Sequence, residues 1–327
     1  MDNKLSVYIV TYNRSDYIGT AIQGVLNQTY KDFKLFVLDN ASTDDTAQVV
    51  AKFADPRLHY IRHEKNIGGI GNINYAFDHC ESDYFVVFHD DDQMHVDMLE
   101  KEIQYMELHP EAALVSGLCN QIDANGRFTR KAHGNSGIVE SFRGTDMFYE
   151  YLRNQKNLVF PSIMYRDDFI KRNNIRMNPN VGPCSDIVLY FEVARYGGVL
   201  SEIQEPLIDY RVHVQQDSSK NFGIMLKRLF EFLRADNYYS ALLVENEKEQ
   251  YDYFRWFMSK IIIRVASGAI DIATANNECE DFKKLLLYRK ADYVFCKLIL
   301  WAESRFPRVF SWGYRLLKGI RNSRSGI

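Results

Sequence analysis

The chain is poor in the residues that would assign it to several large protein classes. It has five cysteines in 327 residues (Cys80, Cys119, Cys184, Cys279 and Cys296), with no C-x-x-C pair. An odd count without paired spacing argues against a zinc ribbon or a disulfide framework, and reads as buried free thiols in a reducing compartment. No run approaches the ~18 apolar residues that span a bilayer. The opening stretch MDNKLSVYIVTYNR lacks the apolar segment of a secretion signal. The expectation is a cytoplasmic protein, peripheral at most on the inner face of the cell membrane. Neither charge sign dominates: 40 Lys and Arg against 43 Asp and Glu leave a net charge of −3. Nucleic acid is therefore not an expected partner. Internal repeats and low-complexity segments are also missing.

What is present is an ordinary globular composition, 46% hydrophobic and 25% charged, with the charge unevenly placed. Residues 1–219 carry −10 and residues 220–327 carry +7. The texture changes at the same point, from alternating strands and helices to helical, aromatic and basic sequence. Two regions are expected, a catalytic domain over 1–219 and a helical C-terminal region over 220–327.

The first region alternates. LSVYIVTY (5–12), FKLFVLDN (33–40), LHYIRH (58–63) and DYFVVF (83–88) read as strands rich in β-branched and aromatic residues. Between the first two, Ser15 is positioned as an N-cap for a helix whose Tyr17, Ala21, Ile22, Val25 and Leu26 share a face. STDDTAQVVAKFA (42–54) reads as a second helix, and a third follows the glycine-rich NIGGIGN (66–72). Further strands are expected in AALVSGLC (112–119) and NLVFPSIMY (157–165). Strand–helix alternation at this spacing predicts an α/β fold with a mainly parallel sheet and helices on both faces. Ligands of such sheets sit beyond the carboxyl ends of the strands. Three polar clusters fall there: Thr11–Arg14, Asp39–Asp44 and Asp90–Asp92.

The third cluster is the most unusual, because VVFHDDDQM sets three carboxylates side by side after an apolar run. A divalent cation relieves that repulsion, and adjacent carboxylates suit the oxygen-preferring Mg2+ or Mn2+. Mg2+ commonly takes its remaining ligands from substrate phosphates, which points to a phosphorylated substrate. An EF-hand loop does not fit: counted from Asp90, positions five, six and twelve are Met94, His95 and Lys101. The rival reading is a solvated acidic turn before the helix at 98–106.

Taken in order, SVYIVTYNR, LDNASTDDT, NIGGIGNIN, YFVVFHDDD, SDIVLYFEVARYGGV and EPLIDYRVH resemble the inverting family 2 glycosyltransferases of the GT-A fold, of the bacterial cell-surface polysaccharide type. The similarity is collinear over residues 4–215. It implies a Rossmann-like sheet binding a nucleoside-diphosphate sugar, with a UDP-sugar favoured, and hexosyl transfer to a saccharide acceptor that is often lipid-linked. The acidic triplet matches the D-x-D element, which places Asp90 at the donor diphosphate and Asp91 and Asp92 on the metal. Thr11, Tyr12, Asn13, Arg14 and Asp39 match the strand ends that hold base and ribose. Asn66 and Gly68 fall in the glycine-rich loop near phosphate or sugar, or in a plain turn. This loop departs from a common family pattern, having Ile73 where an arginine often precedes the asparagine, here Asn74. Asp186, at a loop-to-helix junction, matches the family's general base. Arg211 and His213 match late residues that hold the diphosphate and the metal. Ser42 and Asp44 read as caps of the second helix.

Residues 283–327 contain 11 Lys and Arg against Asp292 and Glu303, interleaved with Tyr293, Phe295, Trp301, Phe306, Phe310, Trp312 and Tyr314. That mixture suits an anionic membrane surface, or helices packed in the fold or in a homodimer. Two rival functions are a sugar-nucleotide pyrophosphorylase and a catalytically silent nucleotide-binding module. The first lacks its G-x-G-T-R loop, since TYNRSDY stands there. The intact Asp90–Asp92 triplet and Asp186 argue against the second.

Overall fold

A computed structural model describes residues 4–212 and 222–305. The described residues divide into two compact units, 4–148 with 156–212, and 149–155 with 222–305.

The first unit is built on one mixed sheet. Its strands are β1 (Leu5–Thr11), β2 (Phe33–Asp39), β3 (Leu58–Arg62), β4 (Tyr84–His89), β5 (Gln93–Met94), β6 (Ala112–Ile122), β7 (Phe128–Arg130), β8 (Val139–Phe142), β9 (Ile163–Arg166) and β10 (Val199–Arg211). They run in the order β3-β2-β1-β4-β9-β6-β10-β5, with β7 on β6 and β8 on β10. The block β3-β2-β1-β4 is parallel, as is the pair β6-β10, and antiparallel β9 joins the two. Between the strands lie α1 (Ile18–Leu26), α2 (Thr46–Val50), α3 (Gly69–His79), α4 (Met98–Leu108), α5 (Asp146–Asn154), whose residues from Tyr149 onward belong to the second unit, α6 (Asp167–Arg172) and α7 (Ser185–Arg195).

The β-branched runs are strands because both sheet faces are covered. Leu5, Val7 and Ile9 of β1 and Phe85, Val86, Val87 and Phe88 of β4 are all fully buried. Each such side chain contributes about 1.5–3 kcal/mol relative to exposure. In α1 the expected Ala21, Ile22, Val25 and Leu26 pack inward, but Tyr17 precedes the helix and is only half-buried, and Ile18 takes its place on the buried face.

Several local expectations are corrected. Ser15 is not the N-cap of α1, which begins at Ile18 after Tyr17; the Ser15 N–H instead donates to Asp44 Oδ2 at 3.0 Å. The second helix is confined to Thr46–Val50, because Ser42 and Asp44 are drawn into loop contacts. The stretch 157–165 is not one strand. Pro161 lies in a 3-10 turn over Phe160–Ser162, and β9 starts only at Ile163. Strand β10 accommodates Pro206 at an irregularity in its register with β6. Leu207 then packs so closely on Gly117 that a Cβ there would overlap it.

The second unit is helical, with helices at Phe222–Ala235, Asn237–Glu245, Glu247–Ala266, Ile272–Leu285 and Lys290–Arg305. Asp236 and Asp271 cap two of them, accepting from Tyr238 N at 2.8 Å and Thr274 N at 2.7 Å. Its core is aromatic, with Phe230, Tyr253, Phe254, Phe257 and Phe282 fully buried. Cys279 and Cys296 are free buried thiols, as expected, with their sulfurs 3.8 Å apart.

Candidate active site

Parallel register places the candidate residues in one row. Thr11 pairs with Asp39 across β1 and β2, and Val10 pairs with His89 across β1 and β4. The carboxyl ends of β2, β1 and β4 thus present Asp39, Thr11 and Asp90 side by side. Beyond them the chain makes tight turns, with Asn13 at φ +53° and Ala41 at φ +63°.

Those turns hold each other. The Asn13 N–H donates to Ser42 Oγ at 2.9 Å, and Asn13 Oδ1 accepts from the Thr43 N–H at 2.7 Å. The Arg14 N–H donates to Thr46 Oγ1 at 3.2 Å. Asp44 accepts from Ser15 and from the Thr46 N–H and hydroxyl. Burial works to raise the Asp44 pKa, but these bonds outweigh it and bring it down to about 2. Asp39 is inaccessible to solvent. Its Oδ1 accepts from the Ser42 N–H at 2.8 Å and its Oδ2 from the Tyr60 hydroxyl, with Arg62 Nε 3.9 Å away. Tyr12 is 43% exposed at the rim.

The glycine-rich loop is fixed by two asparagines. Asn66 Oδ1 accepts from Asn40 Nδ2 at 3.0 Å and from the Gly68 N–H at 2.8 Å, and Asn40 Oδ1 accepts from the Ile67 N–H at 2.8 Å. Gly68 at φ +79° opens α3 in a conformation that side chains strain. Asn74 holds the Met177 backbone from both sides, donating to its carbonyl and accepting its N–H at 2.9 Å each. This ties α3 to the loop before Asp186.

Asp90, Asp91 and Asp92 are buried, at 7%, 9% and 1% exposure, which overturns the reading of a solvated acidic turn. Burial, followed by the Asp91 charge, pushes Asp90 up to about 7. Arg14, with Nε 4.0 Å from Asp90 Oδ1, pulls the other way. So does the Thr11 hydroxyl, although that buried group makes no hydrogen bond of ordinary geometry. Asp92 is anchored through Oδ1, which accepts the Arg211 N–H at 2.8 Å. Its buried Oδ2 has no hydrogen-bond partner and lies 3.6 Å from His89 Nδ1. Burial raises the Asp92 pKa against the opposing pull of His89. For His89 itself, burial disfavours the charged ring, but the carboxylates of Asp92, Asp91 and Asp90 prevail and raise its pKa. Ligand atoms of His89, Asp91 and Asp92 lie within 4.8 Å of one another. This set fits a divalent cation, and the orphaned Asp92 oxygen is the observation that favours one.

Arg211, also buried, donates to the Asp91 carbonyl from Nε at 2.7 Å. From Nη1 it donates to the carbonyls of Asp123 and Ala124 at 3.0 and 3.2 Å. Its guanidinium lies over the Tyr17 ring, 5.0 Å from the centroid. The side chain therefore braces the acidic loop from behind. His213 lies outside the described residues. Asp186 is half-buried in the first turn of α7. Its Oδ1 accepts the Ile187 N–H at 2.8 Å, and Asn157 Nδ2 approaches Oδ2 at 3.4 Å. Burial lifts its pKa to about 6 against the pull of those two groups and of His89.

His89 and Asn157 were not singled out by sequence reading. For His89 the signal was strand alternation, which sets it on the same side of β4 as Phe85. There a run of aromatic contacts extends from Phe85 through Tyr165 and Phe160 to the His89 ring.

Fold and site together define a glycosyltransferase of the GT-A fold. Residues 6–174 match the family described as Glycosyl transferase family 2, and the chain belongs to that family. It is 24% identical over 230 residues to a putative teichuronic acid biosynthesis glycosyltransferase, TuaG, of Bacillus subtilis, covering 70% of this chain and 86% of that one. It is 30% identical over 103 residues to an Escherichia coli UDP-Glc:alpha-D-GlcNAc-diphosphoundecaprenol beta-1,3-glucosyltransferase, covering 32% and 41%. An uncharacterized glycosyltransferase of Rickettsia conorii is 24% identical over 302 residues, 91% of this chain but 46% of that one, so the chain spans about half that relative's length. Among solved structures, S. aureus TarS 1–349 in complex with UDP-GlcNAc superposes with a TM-score of 0.57 at 16% identity, over 92% of each chain.

Proposed function

We propose that the chain is an inverting, metal-dependent enzyme that moves a hexosyl group from a UDP-sugar to a saccharide acceptor, lipid-linked, in surface glycan synthesis. The observation that carries this reading is the pairing of a buried acidic triplet with a separate half-buried Asp186 whose pKa lies near 6. Inversion needs one base on the acceptor side and no second carboxylate as nucleophile. In this reading Asp186 takes the proton from the acceptor hydroxyl as that oxygen attacks the anomeric carbon. The Ile187 N–H and Asn157 hold the carboxylate in place.

Asp91 and Asp92 would hold Mn2+ or Mg2+, with Arg211 bracing their loop and His213 as the further ligand implied by the family pattern. When bound, the cation neutralises charge on the leaving diphosphate. Thr11, Tyr12, Asn13, Arg14, Asn66, Gly68 and Asp90 surround the nucleotide and its phosphates. Asp39 accepts the uracil N3–H in place of the Tyr60 hydroxyl. The Tyr60 side chain is 37% exposed. The donor choice is supported by the UDP-bound and UDP-GlcNAc-bound forms of the TarS neighbour. The lipid-linked acceptor is supported by the diphosphoundecaprenol in the E. coli relative's name.

A thermal-shift panel of UDP-, dTDP- and GDP-sugars with and without Mn2+ tests the donor assignment, since a ligand of the native state raises its apparent stability. A metal-dependent rise with UDP-sugars is expected. No response to any UDP-sugar contradicts it.

Acceptor access is proposed to involve an anionic membrane surface. No described helix is long and apolar enough to cross a membrane. Yet the helix Lys290–Arg305 exposes Val294, Phe295, Leu298 and Trp301 at 43–64%, spaced to share a face, in the basic stretch 283–327. Its part beyond 305 lies outside the described residues. Co-sedimentation with phosphatidylglycerol vesicles, weakened by a Phe295→Ser/Trp301→Ser double substitution, is the expected result. Vesicle-independent dimerisation through the same residues would contradict it.

A further inference from the structure

We propose that His89 is a direct nitrogen ligand of the divalent cation held by Asp91 and Asp92, which makes the site a mixed imidazole–carboxylate one. This rests on the metal-dependent reading above and adds a ligand that neither the D-x-D pattern nor the late histidine supplies.

Three observations support it. First, the ligand atoms of His89, Asp91 and Asp92 gather within 4.8 Å. Second, the His89 Nδ1 to Asp92 Oδ2 distance of 3.6 Å is too long for a hydrogen bond. It lies between the separations of about 3.0 Å for neighbouring and about 4.2 Å for opposite octahedral ligands at metal–ligand distances of about 2.1 Å, so a shift of about 0.6 Å would bring both atoms onto one ion. Third, Asp92 Oδ2 is a buried oxygen without a hydrogen-bond partner, whereas Oδ1 is pinned by the Arg211 N–H. The carboxyl group is thus oriented with its unsatisfied oxygen toward the imidazole. The His89 ring is itself held by stacking on Phe160, with centroids 5.7 Å apart.

Imidazole is a poor ligand for Mg2+, which prefers oxygen donors, and a good one for first-row transition ions. Mn2+ accepts both donor types. A site with His89 in the coordination sphere therefore selects Mn2+ over Mg2+, where an all-carboxylate triplet would not.

The test is pulsed EPR of Mn2+ bound to the full chain, with and without UDP, read for 14N coupling from imidazole. The measurement is made in a His213→Ala background, which removes the other histidine implicated in metal binding. A 14N coupling is expected there, and adding His89→Ala abolishes it. The second substitution also weakens Mn2+ binding by at least about tenfold, while the metal-free melting temperature stays close to that of the parent. His89→Asp, which gives an all-oxygen set, restores Mg2+ binding relative to Mn2+. A bound Mn2+ without nitrogen coupling in the His213→Ala chain, or a coupling that survives His89→Ala, overturns the inference while leaving a metal-dependent enzyme intact. No Mn2+ binding with or without UDP overturns both.

Discussion

Replacing Arg211 by alanine separates two roles for the same residue. The family pattern assigns it to the donor diphosphate, whereas the structure has it gripping three backbone carbonyls, those of Asp91, Asp123 and Ala124. At 5% exposure the side chain is buried, and its removal leaves the buried Asp91 carbonyl unpaired at about 1–3 kcal/mol, while the part-buried carbonyls of Asp123 and Ala124 can turn to water. A net loss of about 1–3 kcal/mol is expected. At about 2–4 °C per kcal/mol that lowers the melting temperature by about 2–12 °C. Arg211→Lys should fall between, because one ammonium cannot span carbonyls from two loops as a planar guanidinium does. The assay is thermal and urea unfolding of the ligand-free protein, paired with calorimetric UDP binding. An Arg211→Ala protein as stable as wild type, but weakened in UDP binding, would refute the bracing role and return Arg211 to the diphosphate.

Other perturbations follow from the same contacts. Glu102, fully buried in α4, has both carboxyl oxygens without partners, and burial raises its pKa well above the usual range. Its native pKa exceeds its unfolded one, so its contribution is complete below about pH 4.3. It is lost as pH rises, at about 1.4 kcal/mol per unit. Glu102→Gln should therefore gain stability over wild type increasingly from pH 5 to 7 in unfolding titrations, and a constant difference would contradict this. Asp44→Ala should cost about 1–2 kcal/mol in urea unfolding, since the Ser15 and Thr46 N–H groups lose their acceptor. Because a base must be unprotonated, kcat/KM should rise as pH increases through about 6, the Asp186 value. A flat profile from pH 5 to 7 would count against Asp186 as the base.

The parts of this fold legible in the sequence are those with a local cause. Strands β1, β2 and β4 announce themselves as apolar runs, and the polar clusters after them mark the sheet's ligand edge without any tertiary information. The acidic triplet stands out because adjacent carboxylates after a buried strand demand a counter-charge. Local signals failed where a distant partner decides the outcome. Ser15 has the chemistry of an N-cap, but its hydroxyl as well as its N–H is engaged by Asp44 across the loop. Pro161 breaks the expected strand into a turn and the short β9. The bracing role of Arg211 depends on residues about 120 positions earlier in the chain. His89 looks like one more strand residue until Phe160 and Asp92 close around it.

The proposed role of Asp186 as the base of an inverting sugar transfer is read out by the turnover number of Asp186→Asn. Asparagine keeps the shape and can still accept the Ile187 N–H, so folding and UDP binding should be preserved. With Asp186 as the base, kcat should fall by about 10²–10⁴-fold, the usual contribution of general base catalysis. A kcat equal to that of wild type would contradict it.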